Sequence, residues 1–388
     1  MELTEIKKLA FEAEDKIARA AENVSSFVFN HPEIGGEEYV SAKFLAEQAE
    51  KMGFCVTMPY CGMDTAFRCE FGDDTGPKVA FLAEYDALPG YENSPDGSGL
   101  AHACGHNWIA ASTFAAVAAL KELKPWFKGK IVWIGTPAEE NLGAKVTMAQ
   151  KGAFDDIDAA FQFHLARENS VDCKSLAMCD FIYTFTGKAT HAASSPQEGI
   201  NALDACNLTF AGINALRQHL TSDVRLHGII REGGSACNIV PDHCVMHYYV
   251  RAADKDYLEE VIERVHNCAR GAALMTGCSL KIERAENTYY DTRQDPRLRK
   301  LMTENLKALG ITELSPGDVF KTGSTDIGNV SYACPTSYCY LSTAAVSSAD
   351  THNKEYVEVV DSDYAHGLIH LAGKAMAATA LDVLLGSK

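Results

Sequence analysis

Several familiar signatures are missing from this 388-residue chain, and each absence removes a class of function. No G-x-x-x-x-G-K-[ST] occurs, because Gly187-Lys188 is followed by Ala189, so a P-loop phosphate cradle is excluded. No G-x-S-x-G occurs, because Gly233-Gly234-Ser235-Ala236 ends in Cys237, which removes the nucleophile elbow. H-E-x-x-H is also absent. Positive charge is short: 35 Lys+Arg stand against 52 Asp+Glu, a formal net charge of -17. Such a surface repels phosphate backbones and anionic membranes, so neither nucleic acid nor a membrane is expected as a partner. A small anionic substrate remains admissible, since one local basic group can act inside a neutral pocket.

No uninterrupted apolar run approaches the length that spans a bilayer. The first residues, Met1-Glu2-Leu3-Thr4-Glu5-Ile6-Lys7-Lys8, carry both charge signs and no apolar signal core. The expectation is a soluble, cytoplasmic protein. Thirteen cysteines lie scattered from Cys55 to Cys339 without a single C-x-x-C pair, an odd number in a long chain without a secretion signal. Most are expected to be reduced, buried small hydrophobes. Internal repeats, low-complexity tracts and Pro-rich linkers are lacking as well.

What is present is an ordinary globular composition, 47% hydrophobic and 22% charged, with length for two or three domains. Helical periodicity fills most of the first thirty residues, with Leu9, Ala10, Ala13, Ile17 and Ala20 at helical spacing. His31-Pro32 followed by Gly35-Gly36 breaks it. A second helix is expected over about 38–52. Apolar strands at 78–83, 130–135 and 159–163 then alternate with helices at 107–123 and 144–151. That alternation predicts an α/β domain with a mostly parallel sheet covered by helices on both faces. Near residue 180 the pattern changes to strand, helix, two strands, helix, strand (181–186, 199–219, 226–231, 244–251, 254–274, 279–284), the signature of an inserted α+β domain. Helices at 296–309 and 363–385 and a strand at 337–341 return to the first style. The expected division is 1–180 with 291–388 for the α/β domain and 181–290 for the insertion.

Four polar clusters sit at strand ends or helix starts. Glu84-Tyr85-Asp86-Ala87-Leu88-Pro89-Gly90 follows the strand 78–83, and the carboxyl ends of parallel strands are where ligands bind. A solvated, Asp-capped turn is the plain alternative. His102-Ala103-Cys104-Gly105-His106-Asn107 opens the helix 107–123. Cys and His two apart on a glycine turn can face one point, which is ligand geometry for a borderline-soft metal. A thiolate there is also favoured by the helix dipole; a buried Cys with a capping His, or a Cys–His nucleophile pair, are the other readings. Glu139-Glu140 ends the strand 130–135. Two adjacent acids suit a divided task, one holding a metal and its neighbour taking a proton from water bound to it, although acids also favour a helix start electrostatically. His164 closes the strand 159–163. With His352, the set Cys104, His106, Glu140, His164 and His352 offers N, O and S donors suited to one or two zinc or manganese ions, more than a single tetrahedral structural zinc needs.

These clusters resemble those of the M20 metallopeptidases and amidohydrolases, in the branch with a C-G-H motif that includes bacterial aminobenzoyl-glutamate hydrolases, hippurate hydrolases and related aminoacylases. The resemblance rests on His31 to Gly35, Glu84 to Gly90, His102 to Asn107, Pro137 to Glu140, His164, Gly187 to Ala192, Asn238-Ile239-Val240-Pro241 and Gly323-Ser324-Thr325-Asp326, in order along nearly the whole chain. It implies a catalytic α/β domain with an inserted lid that dimerises. By resemblance Cys104, His106, Glu140, His164 and His352 are metal ligands, Glu139 is the general base and Asp86 orients a ligand histidine. His191 resembles a lid histidine that reaches the neighbouring subunit's site and stabilises the oxyanion. Asn238 and Arg251 match substrate-binding lid positions, Arg251 being suited to a carboxylate. A strand-end hydrogen bond for His191, and a surface ion pair of Arg251 with Asp254 or Glu259, are the plain alternatives. Asn107 stands where much of the branch has Asp, a substitution shared by the aminobenzoyl-glutamate-type members. Glu84 stands where the wider family has a His ligand or an Asp.

The implied enzyme is a metal-dependent amidohydrolase, with metal-bound water activated by Glu139, acting on N-acyl or N-aroyl amino acids or short peptides as a homodimer or higher homo-oligomer. A dipeptidase or aminopeptidase of the same family is the near alternative. A Cys104–His106 thiol hydrolase would leave Glu139, Glu140, His164 and His352 without a role. A non-catalytic binding protein on the same scaffold would be expected to have lost ligands or base, and here all are present.

Overall fold

The computed structural model describes residues 1–318 and 323–386. The chain divides into two compact units: Met1–Lys174 with Thr292–Asp318 and Asp326–Lys388, and Ser175–Asp291 with Val319–Thr325. The first stretch holds α1 (Leu3–Phe29), α2 (Tyr39–Lys51), β1 (Cys55–Thr57), β2 (Phe67–Gly72), β3 (Lys78–Ala83), the two-residue strands β4 (Leu88–Pro89) and β5 (Leu100–Ala101), α3 (His106–Glu122), β6 (Lys130–Gly135), α4 (Ala144–Gln150) and β7 (Ala159–Ala166). The insertion holds β8 (Ala177–Thr186), α5 (Ala202–Leu216), β9 (Arg225–Glu232), β10 (His243–Ala252), α6 (Lys255–Thr276) and β11 (Ser279–Arg284). The chain then adds α7 (Pro296–Ala308), α8 (Ile327–Ala333), β12 (Thr336–Ser342) and α9 (Asp363–Leu384) to the first unit.

The first unit's sheet has the order β1-β2-β6-β3-β7-β12. β6, β3, β7 and β12 run parallel, while β1 and β2 close one edge antiparallel. The four parallel strands are almost wholly buried, as their continuous apolar runs require when helices cover both faces. The alternating pattern missed β1 and β2 because β2 places Arg68 and Glu70 in the strand, where Arg68 pairs with Glu70 and Asp156 at 2.8 Å each. β7 runs three residues past the expected strand, so His164 lies inside it, paired with Tyr340 of β12.

α3 is buried nearly all round, from His106 to Leu120, between α1 and α9. A helix this apolar on every face belongs in a core. α9 is long and apolar enough to cross a membrane by length and composition, but 78% of its most apolar window is buried inside the protein, the position of a core helix. Small residues let α3 and α9 approach: a Cβ on Gly373 would lie 2.7 Å from the Cβ of Ala115.

The second unit packs α5 and α6 on one face of a four-stranded antiparallel sheet, β11-β8-β10-β9. Leu258, Val261, Ile262, Val265 and Ala269 form the buried stripe of α6. Asp254 caps its start by accepting from the amides of Asp256 and Tyr257, and Gly277 at φ +78 ends it. Asn201 caps α5 in the same way.

Gly373→Leu should overpack the α3–α9 contact and lower stability by about 1–3 kcal/mol. Gly367→Ala, on the same helix with open space around its Cβ, should raise it by about 0.5–1 kcal/mol. Urea midpoints moving in opposite directions would bear this out; equal shifts would not.

Candidate metal centre

The parallel strands deliver their polar ends to one place. β3 and β6 run in register to Ala83 and Gly135, and the amide of Thr136 donates to the carbonyl of Ala83 at 2.8 Å. Glu84 to Asp86 therefore lie beside the loop that carries Glu139 and Glu140. Gly105, at φ +90, caps α3 between Cys104 and His106. A left-handed residue there turns both side chains to one side, a conformation glycine adopts freely.

The result is three interlocking groups of donors: Cys104, His106 and His164; Cys104, Glu140 and His352; and His106, Glu139 and Glu140. Within each group the ligand atoms all lie within 4.8 Å of one another. All five sequence-derived ligands, with Glu139, thus converge in the first unit. His164 Nε2 is 3.3 Å from Cys104 Sγ, and His352 Nε2 is 3.3 Å from Glu140 Oε1. His352 sits at φ +69, its amide held by the carbonyl of Ala103 at 2.8 Å and its carbonyl by the Tyr91 hydroxyl at 2.8 Å. Strain of this kind persists only where surroundings enforce it.

Asp86 organises two of the donors. Its Oδ1 lies 2.7 Å from His106 Nδ1, and its Oδ2 accepts from the amide of Glu140 at 2.9 Å. With Nδ1 held toward Asp86, Nε2 is the His106 nitrogen that faces the cluster and would give its lone pair to a bound metal. His164 Nδ1 likewise faces the carbonyl of Leu165 at 2.6 Å, leaving Nε2 toward Cys104.

Behind His106 lies a buried ionic network the sequence did not announce. The fully buried Lys145 donates to Glu84 Oε1 at 2.6 Å and Asp326 Oδ1 at 2.7 Å, and Gln162 donates to the same Glu84 oxygen at 2.7 Å. Glu84 Oε2 stands 3.3 Å from His106 Nε2. Lys145 sits in an apolar helical stretch, Ala144 to Met148, where a lone lysine reads as a solvated charge; only the fold reveals its partners.

The electrostatics call for a cation. Burial opposes ionisation of Glu84 and Asp86, yet Lys145 for the first and His106 for the second outweigh it and hold both carboxyls below the usual range. Burial raises Asp326 to about 6 despite Lys145. Burial, then Glu84 and Glu140, push Glu139 well above the usual carboxyl range. Burial and Glu140 push the Cys104 thiol well up, which reverses the thiolate stabilisation expected from the helix start alone. Burial would keep His106 neutral, but Asp86, Cys104 and Glu84 raise its pKa well above normal.

His106 Nε2 and Glu140 Oε1 are both buried and make no well-aligned hydrogen bond, their nearest facing groups being Glu84 and His352 at 3.3 Å each. Poorly satisfied buried polar atoms converging with a thiol, two more imidazoles and excess acid fit a divalent metal ion, which would neutralise the acids and satisfy these atoms. The same facts disfavour a thiol nucleophile, since Cys104 is held protonated by burial and a facing carboxylate.

The remaining site residues lie in the second unit, at two places. His191 pairs with Ile239 in an isolated bridge, and the amide of Ala192 donates to the carbonyl of Asn238 at 2.9 Å, so His191 and Asn238 share one exposed end. His191 Nδ1 accepts from the amides of Ala193 and Ser194 at 3.2 Å each, which leaves Nε2 as the nitrogen that carries the proton. Arg251, in β10, makes no ion pair among the described residues; it donates to Ser324 Oγ at 3.2 Å and lies over the Tyr249 ring at 5.7 Å.

An α/β sheet with acids, imidazoles and a thiol gathered at its strand ends defines a metallohydrolase. Residues 80–383 match the sequence profile of Peptidase family M20/M25/M40, and the chain belongs to that family. It is 36% identical over 401 residues to the Xaa-Arg dipeptidase of Mus musculus, spanning 99% of this chain and 90% of that one. It is 31% identical over 432 residues to one of the p-aminobenzoyl-glutamate hydrolase polypeptides of Escherichia coli (strain K12), spanning 94% and 89%. A Bacillus subtilis protein described as a dinuclear metal-binding peptidase of family M20 shares the fold at TM-score 0.73 and 19% identity, covering 95% of this chain and 99% of that one. So does a proposed aminohydrolase of methicillin-resistant Staphylococcus aureus, at TM-score 0.84 and 21% identity, covering 97% and 100%. The expected family and the mostly parallel α/β fold both hold, and the protein is an enzyme of the class that hydrolyses C–N bonds with metal.

Because the Cys104 thiol starts protonated, loading metal-free protein with Zn²⁺ at neutral pH should release at least one proton. Affinity should then fall about tenfold per pH unit per proton released as pH drops. Calorimetry in buffers of different ionisation enthalpy measures the proton count. Zero release would show that Cys104 does not bind as thiolate.

Proposed function

We propose that this chain hydrolyses the amide bond of N-acyl or N-aroyl amino acids or dipeptides, using one or two divalent ions, Zn²⁺ or Mn²⁺, held by Cys104, His106, Glu140, His164 and His352. The observation that carries the reading is Glu139 beside this donor set, at the end of a parallel strand. A bound divalent ion would polarise the scissile carbonyl and acidify the attacking water. Glu139 takes the proton from that water as it attacks and hands it to the leaving amine, so one carboxyl serves both steps. Asp86 keeps the His106 ring and the Glu140 backbone fixed while charge moves.

The substrate class follows from the relatives and from Arg251. A dipeptidase and an aminobenzoyl-glutamate hydrolase both cut an amide next to an amino acid. Arg251 leaves its buried Nε without a hydrogen-bond partner, which suits capture of the free carboxylate that such substrates retain. His191, exposed and with its proton on Nε2, suits the developing oxyanion.

Arg251 and His191 occupy opposite ends of the second unit. Arg251 is paired with Met178 at the start of β8, while His243 pairs with Thr186 at its end. At ~3.3 Å per residue, about 26 Å of strand separates His243 from Arg251, and the His191–Ile239 bridge lies beyond the His243 end. One small substrate cannot touch both from the same copy. This supports a homodimer in which His191 serves the neighbouring copy's site. The edge strand β9, with Ile229 62% exposed, is suited to being covered in such an assembly. Two relatives from Escherichia coli (strain K12) are named as the two different subunits of one hydrolase, which also supports assembly.

Two experiments test the reading. Against a panel of N-acyl amino acids and dipeptides, Glu139→Gln should lose roughly 10²-fold or more in kcat with metal content nearly intact. Glu140→Gln should instead lose metal. Exchanged phenotypes would reverse the two roles, and full activity of metal-stripped wild type would end the proposal. For the dimer, inactive His191→Ala subunits mixed with inactive Glu139→Gln subunits should recover roughly a quarter of wild-type activity per site if exchange is random. No recovery despite verified exchange would mean that His191 acts within its own subunit.

A further inference from the structure

The segment 33–38 has no part in the chemistry above, yet it touches both acidic loops of the centre. The carbonyl of Glu33 accepts from the amide of Ala87 at 2.8 Å, next to Asp86. The carbonyl of Gly35 accepts from Asn141 Nδ2 at 2.9 Å, next to Glu140. Gly35 is packed so closely that a Cβ there would lie 2.8 Å from the Cα of Ala138. The Glu33 carboxylate ties the segment to the start of α2, accepting from the amides of Val40 and Ser41 at 2.8 Å each.

Glu38 makes the decisive contact. It is fully buried, and among the described residues it has no lysine, arginine or histidine within ion-pair distance. Its Oε1 accepts from the amide of Ala138 at 2.7 Å and its Oε2 from the Thr65 hydroxyl at 2.8 Å. Burial and the nearby Asp86 push its carboxyl up to about 7; an acid held here without a cation is costly, so its placement calls for a purpose. Ala138 is a non-glycine residue at φ +57, a conformation that L-residues adopt only at a cost. Its carbonyl is held as well, by the amides of Leu142 and Gly143 at 3.2 and 2.8 Å. Two positions on, Asp86 holds the amide of Glu140. Glu139 is thus suspended between two amides, each gripped by a buried carboxylate from a different part of the chain.

We propose that Glu38 is a positioning residue: by gripping the Ala138 amide in its left-handed conformation it aims Glu139 at the reacting water and Glu140 at the metal. The inference rests on the roles assigned to Glu139 and Glu140 above. It turns on a hydrogen-bond acceptor, so Glu38→Gln, which keeps a side-chain oxygen for Ala138, should stay within about threefold of wild type. Glu38→Leu, which removes the acceptor, should lose about 10²-fold in kcat with little change in KM, as misplacing a catalytic group by about 1 Å does. Its affinity for Zn²⁺ and Mn²⁺, read by competition with a chromophoric chelator, should fall about 10–100-fold. A folded Glu38→Leu protein with wild-type kcat and metal affinity would overturn the proposal. So would Glu38→Gln as damaged as Glu38→Leu, which would point to charge rather than grip.

Should Glu38→Leu fail to fold, the backbone tests the same grip. Ala138→Gly, free to adopt the conformation, should behave as wild type. Ala138→Val, β-branched and hostile to it, should reproduce the losses in kcat and metal affinity; wild-type values for Ala138→Val would overturn the proposal. If Glu139→Gln retained kcat, the assignment of the base would fail, while the metal-affinity readout through Glu140 would still judge the grip.

Discussion

Asp86 is the point on which the centre depends. One buried carboxylate fixes the tautomer and direction of His106 with one oxygen and the backbone position of Glu140 with the other. Both partners sit in segments that the sheet brings together only because β3 and β6 run parallel in register. Parallel pairing ends both strands on the same edge, so the loop after one can reach the loop after the other. An antiparallel pair would have sent these acids to opposite edges, and no single carboxylate could have bridged them.

The charge accounting extends the same constraint. Glu84, Asp86 and Asp326 are buried around Lys145, the buried ammonium that pairs with Glu84 and Asp326. Pairing with Lys145 and Gln162 consumes Glu84 Oε1 and leaves Oε2 facing His106. Buried ion pairs are weak evidence for stability, because desolvation offsets most of the attraction. Their placement here makes better sense as control of field and direction at the donor cluster. In that light Lys145 limits the negative charge to an amount that a divalent ion can balance.

Legibility in the sequence followed the physics of each feature. The central strands were readable because burial on both faces leaves long apolar runs at 78–83 and 130–135, and the C-G-H turn because only a glycine lets Cys104 and His106 face one side. β1 and β2 were not, since β1 is a three-residue edge strand and its neighbour β2 carries Arg68 and Glu70, which interrupt any such run. The donors themselves were readable as types at strand ends. Lys145, Gln162 and Glu38 were not: a buried lysine, glutamine or glutamate looks like a surface residue until its partners, 61, 78 and 100 positions away, are in place. The left-handed conformations of Ala138 and His352 were equally hidden, because neither residue type advertises them.

The cysteine shows why local rules and the assembled site can disagree. A helix start favours thiolate, and by that rule Cys104 alone would pass for a nucleophile. In the folded chain the thiol is buried and faces Glu140, so its pKa moves the other way. A thiol so placed is a poor nucleophile and a good latent ligand, because the ion that displaces its proton also cancels the charge of Glu140. The same logic covers Glu139, whose pKa is raised by burial together with Glu84 and Glu140. Each cation bound in the cluster must lower both pKa values, since it stands nearer to them than solvent does. Metal occupancy and the protonation of the base are therefore coupled: the ion that fills the site also prepares Glu139 to accept a proton.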